Sequence, residues 1–245
     1  TKKSRALGGA IGVNYVAGTT EAFVDGATSL MASSLDLTAN RGGWIVSLGA
    51  SVGSATGKNG SAGAGSVGVT ITNYTTSTRL ANLSGATNVT GTTLLDAYDD
   101  TNLLHIGGSG AFGGKGGYGV GVGFALIENT VTSTIDSLAN FKHTGPVDVK
   151  ARTDADIIGV SGSLGVATGG GGQEGTAVGG TISVNVLLNT VRAEILNTVT
   201  SADSSGTVSV LADDNAAIYS FAGGFAIGKS SAYGIAASFN VLKNT

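Results

Sequence analysis

An alternating sequence pattern that returns at long, nearly constant intervals constrains the fold of this chain more than any other feature. The pattern contains five short polar steps at similar intervals, at Gly18, Asn73, Asn129, Asn189 and Asn244. A glycine stands ten positions before every one of these steps. Between glycine and step, large apolar residues alternate with small ones, and this period of two indicates a β-strand with one apolar face. The sequence therefore predicts a repeated strand.

A second segment aligns without gaps in four places, and its copies share an alanine column at Ala39, Ala97, Ala151 and Ala212. Three residues later each copy has a small or polar residue, at Gly42, Asp100, Asp154 and Asn215. A longer alternating strand follows, and in it His105 shares a column of small residues with Ser47, Gly159 and Ser220. When the anchors of both segments are merged, their mean spacing is about 28 residues, a length typical of structural repeats. This spacing predicts one strand-and-turn unit in two alternating versions.

Units of fixed length predict an all-β, repeat-built, elongated β-solenoid (a parallel β-helix), because one unit cannot bury its own apolar face. We expect coils of about 28 residues in alternating pairs, with like residues stacked about 4.8 Å apart. The anchors Asn129, Asp154, Asn189 and Asn215 would then lie along one line, and the large apolar residues would form internal stacks. The same columns also fit stacked antiparallel hairpins, or β-arches whose strands face each other across a core, around turns such as 228–232.

Composition narrows the class of protein. The 245 residues include 42 glycines, one proline and no cysteine, which excludes disulfides, thiolate zinc sites and cysteine nucleophiles. The net charge of −3 provides no basic surface for nucleic acid. Aromatic residues make up only 6% of the chain, and one face of each predicted strand is rich in Gly and Ser. Neither feature suits a wall that faces lipid, so we expect a protein that does not span a membrane. The pattern runs to both ends, and we expect 1–245 to be a single repetitive segment of a longer protein.

The best candidates for site chemistry are aspartates near the second anchor. They are Asp99, Asp100, Asp154, Asp213 and Asp214. Stacked carboxylates of this kind could hold Ca²⁺, which takes six to eight oxygen ligands. No copy carries a calcium-binding nonapeptide or an EF-hand loop, so the sequence favours a solvated turn without cofactor or metal. The sequence also predicts no catalytic residues, and it predicts that His105 is exposed on a flat face.

The repeats resemble those of a known family. GVGFALIENTVTSTI at 121–135 and GGTISVNVLLNTVRAEI at 179–195 alternate with VDVKARTDADI at 147–157 and VSVLADDNAAI at 208–218. These motifs are similar to repeats of the large leukotoxin-like filamentous adhesins and, more broadly, of the haemagglutinin-type passengers that Gram-negative bacteria export by type V secretion. The resemblance implies a long β-helical rod that is secreted or displayed at the outer membrane. It implies attachment to a receptor or glycan on host or neighbouring cells, and no catalytic residues.

Three hypotheses about function follow. The first is a structural rod segment of such an adhesin, without enzymatic activity. The second is a carbohydrate- or matrix-binding module that uses the variable turns, at 55–63, 84–92, 140–146, 168–176 and 201–206. The third is a β-helix enzyme that acts on polysaccharides with paired carboxylates such as Asp100 and Asp154. Repetition argues against the third hypothesis, because an active site is needed only once.

Overall fold

The chain folds into an all-β solenoid with parallel strands. The structure is a computed structural model that describes residues 3–170 and 174–245. The twelve elements found in these ranges are all strands, and they belong to two sheets. Sheet A consists of β1 (Arg5–Asp25), β2 (Leu30–Ala32), β4 (Ser61–Val89), β6 (Gly116–His143), β9 (Thr176–Leu196) and β12 (Ser231–Asn244). Sheet B consists of β3 (Leu35–Ser54), β5 (Thr93–Gly113), β7 (Val147–Thr153), β8 (Asp156–Ala167), β10 (Val208–Asp214) and β11 (Ala217–Gly228).

Each full turn of the solenoid, called a rung below, contains one strand of sheet A followed by its continuation in sheet B. Partner residues in neighbouring rungs, such as Ser61 and Gly116, are separated by both versions of the predicted unit. That unit is therefore half a turn and not a whole coil, because its two versions lie in different sheets. All strand pairs in the described ranges are parallel, so the antiparallel hairpin alternative is wrong. The turn after β11 instead forms an arch between the two sheets.

The predicted columns of sheet B agree with the observed register. Ala39, Ala97, Ala151 and Ala212 are in register, and so are Ser47, His105, Gly159 and Ser220. In sheet A the prediction fails by one residue in the second rung, where Tyr74 and not Asn73 aligns with Gly18 and Asn129. Since a slip of one residue moves a side chain to the other face of the sheet, Asn73 is exposed and Tyr74 is buried.

The anchors form two lines and not one. Asn129 and Asn189 stack in sheet A and point inward. Asp154 and Asn215 lie in the short breaks between consecutive strands of sheet B, one position beyond the inward column that contains Asp99, Thr153 and Asp214. The single line that we expected is therefore wrong, because the two versions of the unit occupy opposite walls of the solenoid.

The solenoid has a wide half, where sheet A after its polar anchor faces the start of sheet B. Large apolar side chains fill the space between the walls there, including Leu80, Leu83, Ile135, Leu138 and Phe141. The facing side chains from sheet B come from the Leu95 and Val149 column and its neighbours. The outer surface of this half is polar, as the alternation predicts for a half-buried sheet.

The other half, called the narrow half, has the opposite arrangement. Sheet A before its anchor faces the end of sheet B, and most of the residues that point inward are small. The exceptions lie next to the anchor, where Leu103, Ile127, Ile157 and Leu187 form a small buried cluster. Glycines let the two backbones approach closely: a Cβ added at Gly119 would lie 2.6 Å from the carbonyl oxygen of Leu164, and one at Gly179 would overlap that of Phe225. Most of the large residues point outward, so our expectation that they form internal stacks is wrong in this half. The walls are too close together to hold them.

Candidate functional site

A buried polar seam separates the two halves of the solenoid. Its sheet A side is the anchor column, and its sheet B side is the column of Asp99 and Asp214. The amide nitrogen Nδ2 of Asn129 donates to Oδ1 of Asp99 at 3.4 Å, and Nδ2 of Asn189 donates to Oδ1 of Asp214 at 3.2 Å. The seam therefore repeats one amide–carboxyl contact in two rungs.

Asp99 is the most enclosed carboxyl group of the seam. Its side chain is fully buried, and it also accepts hydrogen bonds from the Thr76 hydroxyl at 3.2 Å and the Thr101 backbone N–H at 3.0 Å. Burial raises the pKa of Asp99, because desolvation penalises the charged form more than these hydrogen bonds favour it. Burial likewise raises the pKa of Asp214, against the hydrogen bond from Asn189.

The five aspartates that were calcium candidates do not converge. Asp99 and Asp214 point into the seam, whereas Asp100, Asp154 and Asp213 lie on the outer face of sheet B. Among the described residues, no group of three or more His, Cys, Asp or Glu side chains is arranged to hold a metal ion. The alternation of the strand explains this, since consecutive aspartates in Asp99-Asp100 and Asp213-Asp214 must face opposite ways.

Opposite charges pair across rungs on the outer face of sheet B. Nη2 of Arg152 lies 2.8 Å from Oδ2 of Asp96, and the Tyr98 hydroxyl donates to Oδ2 of Asp154 at 2.6 Å. This hydrogen bond, with burial and the Asp154 charge, raises the pKa of Tyr98 to about 12. Of the two carboxylates that a hydrolytic mechanism would use, Asp154 thus has a partner in Tyr98, and Asp100 accepts a hydrogen bond from Nδ2 of Asn102 at 2.8 Å.

His105 is buried and not exposed, contrary to our expectation. None of its surface is accessible, and neither ring nitrogen has a hydrogen-bond partner among the described residues. The ring lies over two glycines of sheet A: a Cβ at Gly68 would lie 2.6 Å from its Cε1, and one at Gly123 would lie 2.8 Å from its Nε2. Burial lowers the pKa of His105, so the neutral form is favoured. Its enclosure gives it no access to a substrate.

The sequence reasoning missed the largest surface feature. In the narrow half, both outer faces carry rows of exposed apolar side chains. On sheet A these include Tyr118 and Val120 of an interior rung, which are 45% and 49% exposed. On sheet B, Val160 is 37% and Phe221 60% exposed. The sequence shows that large residues occupy alternate positions of these strands. Only the close approach of the two walls shows that these large residues face outward.

The variable turns gather at two opposite edges of the solenoid. The narrow edge has turns at 55–60 and 168–175, of which residues 171–173 lie outside the described ranges. The wide edge has the turns at 90–92, 144–146 and 197–207. Successive turns at the narrow edge surround a shallow depression of about 470 Å³ that Lys58, Gly114 and Gly170 help to line. These edges are the natural places for sequence-specific contacts, since the sheets themselves repeat.

Comparison with known proteins gives no further guidance: no protein-family model, no curated protein and no solved structure matches the chain. In the part of the chain that the structure describes, no helix is long and apolar enough to cross a membrane.

Proposed function

We propose that this chain is a structural segment of a rod in a secreted or surface-displayed bacterial attachment protein. The observation that carries the proposal is the parallel register, which runs through β1, β4, β6, β9 and β12 with one shift, between Leu83 and Ala86. Each rung adds backbone hydrogen bonds and core contacts to its neighbour only, so that stability and length grow together. The repeated arrangement supports the role of a scaffold and not that of an enzyme.

The resemblance of the repeats to filamentous adhesins supports the proposed setting. The absence of cysteine suits a chain that crosses the periplasm unfolded before it reaches the cell surface. The rod would hold a distal receptor- or glycan-binding region away from the outer membrane.

Immunogold labelling of the organism that encodes the chain tests this setting. Antibodies against the purified chain are expected to label the outside of intact cells, and external protease should remove the label. Label that appears only after the cells are opened would contradict surface display. A cytoplasmic protein of the same cells, probed in parallel, controls for leakage.

Deletion of one rung tests the structural role. Removing residues 61–115 joins Gly60 to Gly116, which is the register partner of Ser61. A scaffold should refold without this rung, with parallel-sheet circular dichroism and a lower melting temperature. A chain whose rungs form one indivisible globule should fail to fold. Deletion of 61–88, which is half a rung and brings a strand of sheet B to the place of one of sheet A, is the matched control and should not fold.

A second function, binding of a glycan or matrix protein, is favoured by the turns at the narrow edge. Lys58 stands in the turn at 55–60 and lines the depression there, and Lys115 and Lys229 stand in the narrow-edge turns at 114–115 and 229–230. If the edge binds an anionic ligand, replacing Lys58 and Lys115 by alanine should lower retention on a sulfated-glycan array at least tenfold. Lys142→Ala, at the wide edge, is the control. Equal binding by all variants, or no binding by any of them, would contradict a glycan-binding function of this edge. The structural role would then be the one that remains.

A further inference from the structure

We infer that the outer face of sheet A in the narrow half is an interface with a second copy of this chain. This surface, called the A face, consists of the outward side chains at alternate positions of 7–15, 63–71, 118–126, 178–186 and 233–241. Of its 25 positions, 21 are apolar side chains, four are glycine and none is charged. The inference does not rest on the proposed function.

The exposure of the A face is not confined to the terminal rungs. Val67 in β4, Val120 in β6 and Ile182 in β9 are 39%, 49% and 46% exposed, although each has a neighbouring rung on both sides. A contiguous apolar surface of this kind marks an interaction site or an aggregation hazard, particularly on a flat sheet. The face therefore needs a cover.

The size of the A face suits a protein interface. Five strands about 4.8 Å apart and nine residues that rise about 3.3 Å each give an area of about 700 Å², close to the roughly 800 Å² that each partner contributes to a standard interface. Two flat sheets can pack face to face at about 10 Å, with their side chains interdigitated. The same face on a second copy offers an equal area with the same strand spacing.

The charges at the borders of the A face select a second copy over a lipid surface. In the central rung, Lys115 precedes the first apolar column, in the turn before β6, and Glu128 stands in the column that follows the last one. Other rungs add Arg5 and Glu174 near Lys115, and Lys243 in the column of Glu128, so each border carries both charge signs. The side chains of Lys115 and Glu128 are exposed, and Glu128 accepts a hydrogen bond from Asn73 at 3.1 Å. A layer of anionic lipid headgroups would present one charge sign to both borders. A second copy turned end for end presents the opposite sign to Lys115 and to Glu128.

This complementarity also fixes the orientation of the dimer. A two-fold axis parallel to the stacking direction, through the column of Val67, Val122 and Ile182, reverses the strands and preserves the order of the rungs. It places Lys115 of one copy beside Glu128 of the other. A two-fold axis parallel to the strands would place lysine against lysine and is disfavoured.

Molecular mass in solution tests the interface. Sedimentation velocity of the whole chain from about 1 to 100 μM is expected to show a dimer of twice 23.9 kDa. Val122→Glu, at the centre of the A face, should raise the dissociation constant at least 100-fold. Thr132→Glu, on the same strand and the same side but beyond the face, should leave it unchanged. Circular dichroism melting of each variant verifies the fold.

Charge reversal tests the orientation without altering the apolar surface. Glu128→Lys and Lys115→Glu should each weaken the dimer, and the double variant should recover it. A wild-type chain that is monomeric at 100 μM overturns the inference. So does equal dissociation by Val122→Glu and Thr132→Glu, or dissociation only by Val160→Glu on sheet B. Flotation of a monomer with phosphatidylcholine–phosphatidylglycerol vesicles, lost in Val122→Glu, would make the A face a lipid surface instead.

Discussion

The wide and narrow halves of each rung use the same alternation of large and small residues with opposite orientations. In the wide half, Ile135 and Leu138 point inward and Thr132 and Thr134 point outward. In the narrow half of the same strand, Gly119 and Gly123 point inward and Phe124 points outward. The polar seam at Asn129 lies between these two parts of the strand.

This difference shows that hydrophobicity alone does not decide which face of a strand is buried. The separation of the two walls matters as well, because away from the seam a large side chain fits the narrow gap only where the facing residues are glycines, as His105 does opposite Gly68 and Gly123. Backbone packing through glycine replaces side-chain packing in the narrow half. In the narrow half, large apolar residues of the kind that the wide half buries therefore lie on the surface.

The largest expected effect tests the close approach of the walls. Gly179→Ala adds a methyl group against the backbone carbonyl of Phe225, which cannot move without breaking its own sheet. We expect destabilisation of more than about 4 kcal/mol, or loss of folded protein. Gly180→Ala, one residue later, points outward into open space and should be nearly neutral. Equal melting temperatures in the two variants would contradict the narrow packing.

The next effect compares two apolar side chains on one strand. Ile135 is fully buried in the wide half, and Ile135→Ala should cost about 3 kcal/mol of unfolding free energy in urea titrations. Leu126 points outward in the narrow half, and Leu126→Ala should cost less than about 1 kcal/mol. A larger loss of stability in Leu126→Ala than in Ile135→Ala would contradict the assignment of inward and outward side chains in the two halves. The titrations should use Val122→Glu as the background, so that dimer formation does not contribute.

A smaller effect concerns the pH dependence of the narrow half. Because burial lowers the folded-state pKa of His105 below 6.5, the unfolded chain binds more protons as the pH falls below that value. Stability is then full above pH 6.5 and is lost on acidification toward the folded-state pKa. His105→Gln should reduce the fall in melting temperature between pH 7 and 5, and His143→Gln is the control for the other histidine. An unchanged fall in the His105 variant would contradict its burial.

The smallest effect has the opposite sign and lies in the seam. Burial raises the folded-state pKa of Asp99 above its ordinary value of 3.8, so the folded chain holds its proton longer than the unfolded chain. Its contribution to stability is greatest below pH 3.8 and is lost as the pH rises through the folded-state value. Asp99→Asn should therefore lose less stability than the wild type between pH 4 and 7. Asp100→Asn, on the outer face, removes the same charge outside the seam and is the matched control. An unchanged loss of stability in Asp99→Asn would contradict the burial of the Asp99 carboxyl.

The sequence predicts the repeat and much of the register, because columns of small residues survive in every copy. The alanine column and the position of His105 among Ser47, Gly159 and Ser220 needed no structure. The position of Asn73 was wrong, since the rung from Arg5 to Ser61 is one residue longer than the next, and only pairing detects the slip. Period-two alternation is also symmetric between the two faces. It therefore could not show that the apolar parity faces outward or that His105 is enclosed.

The confinement of length variation to the turns has an evolutionary consequence. Rungs of unequal length keep most of their register because extra residues are placed at the edges, as in 197–207, and the shift between Leu83 and Ala86 lies close to the wide edge. Unequal recombination between neighbouring DNA repeats can then insert or remove a complete rung without exchanging the inner and outer faces of any strand. A gene built this way can change the length of its product in steps of one rung, each of which leaves the pairing pattern of the remaining strands intact.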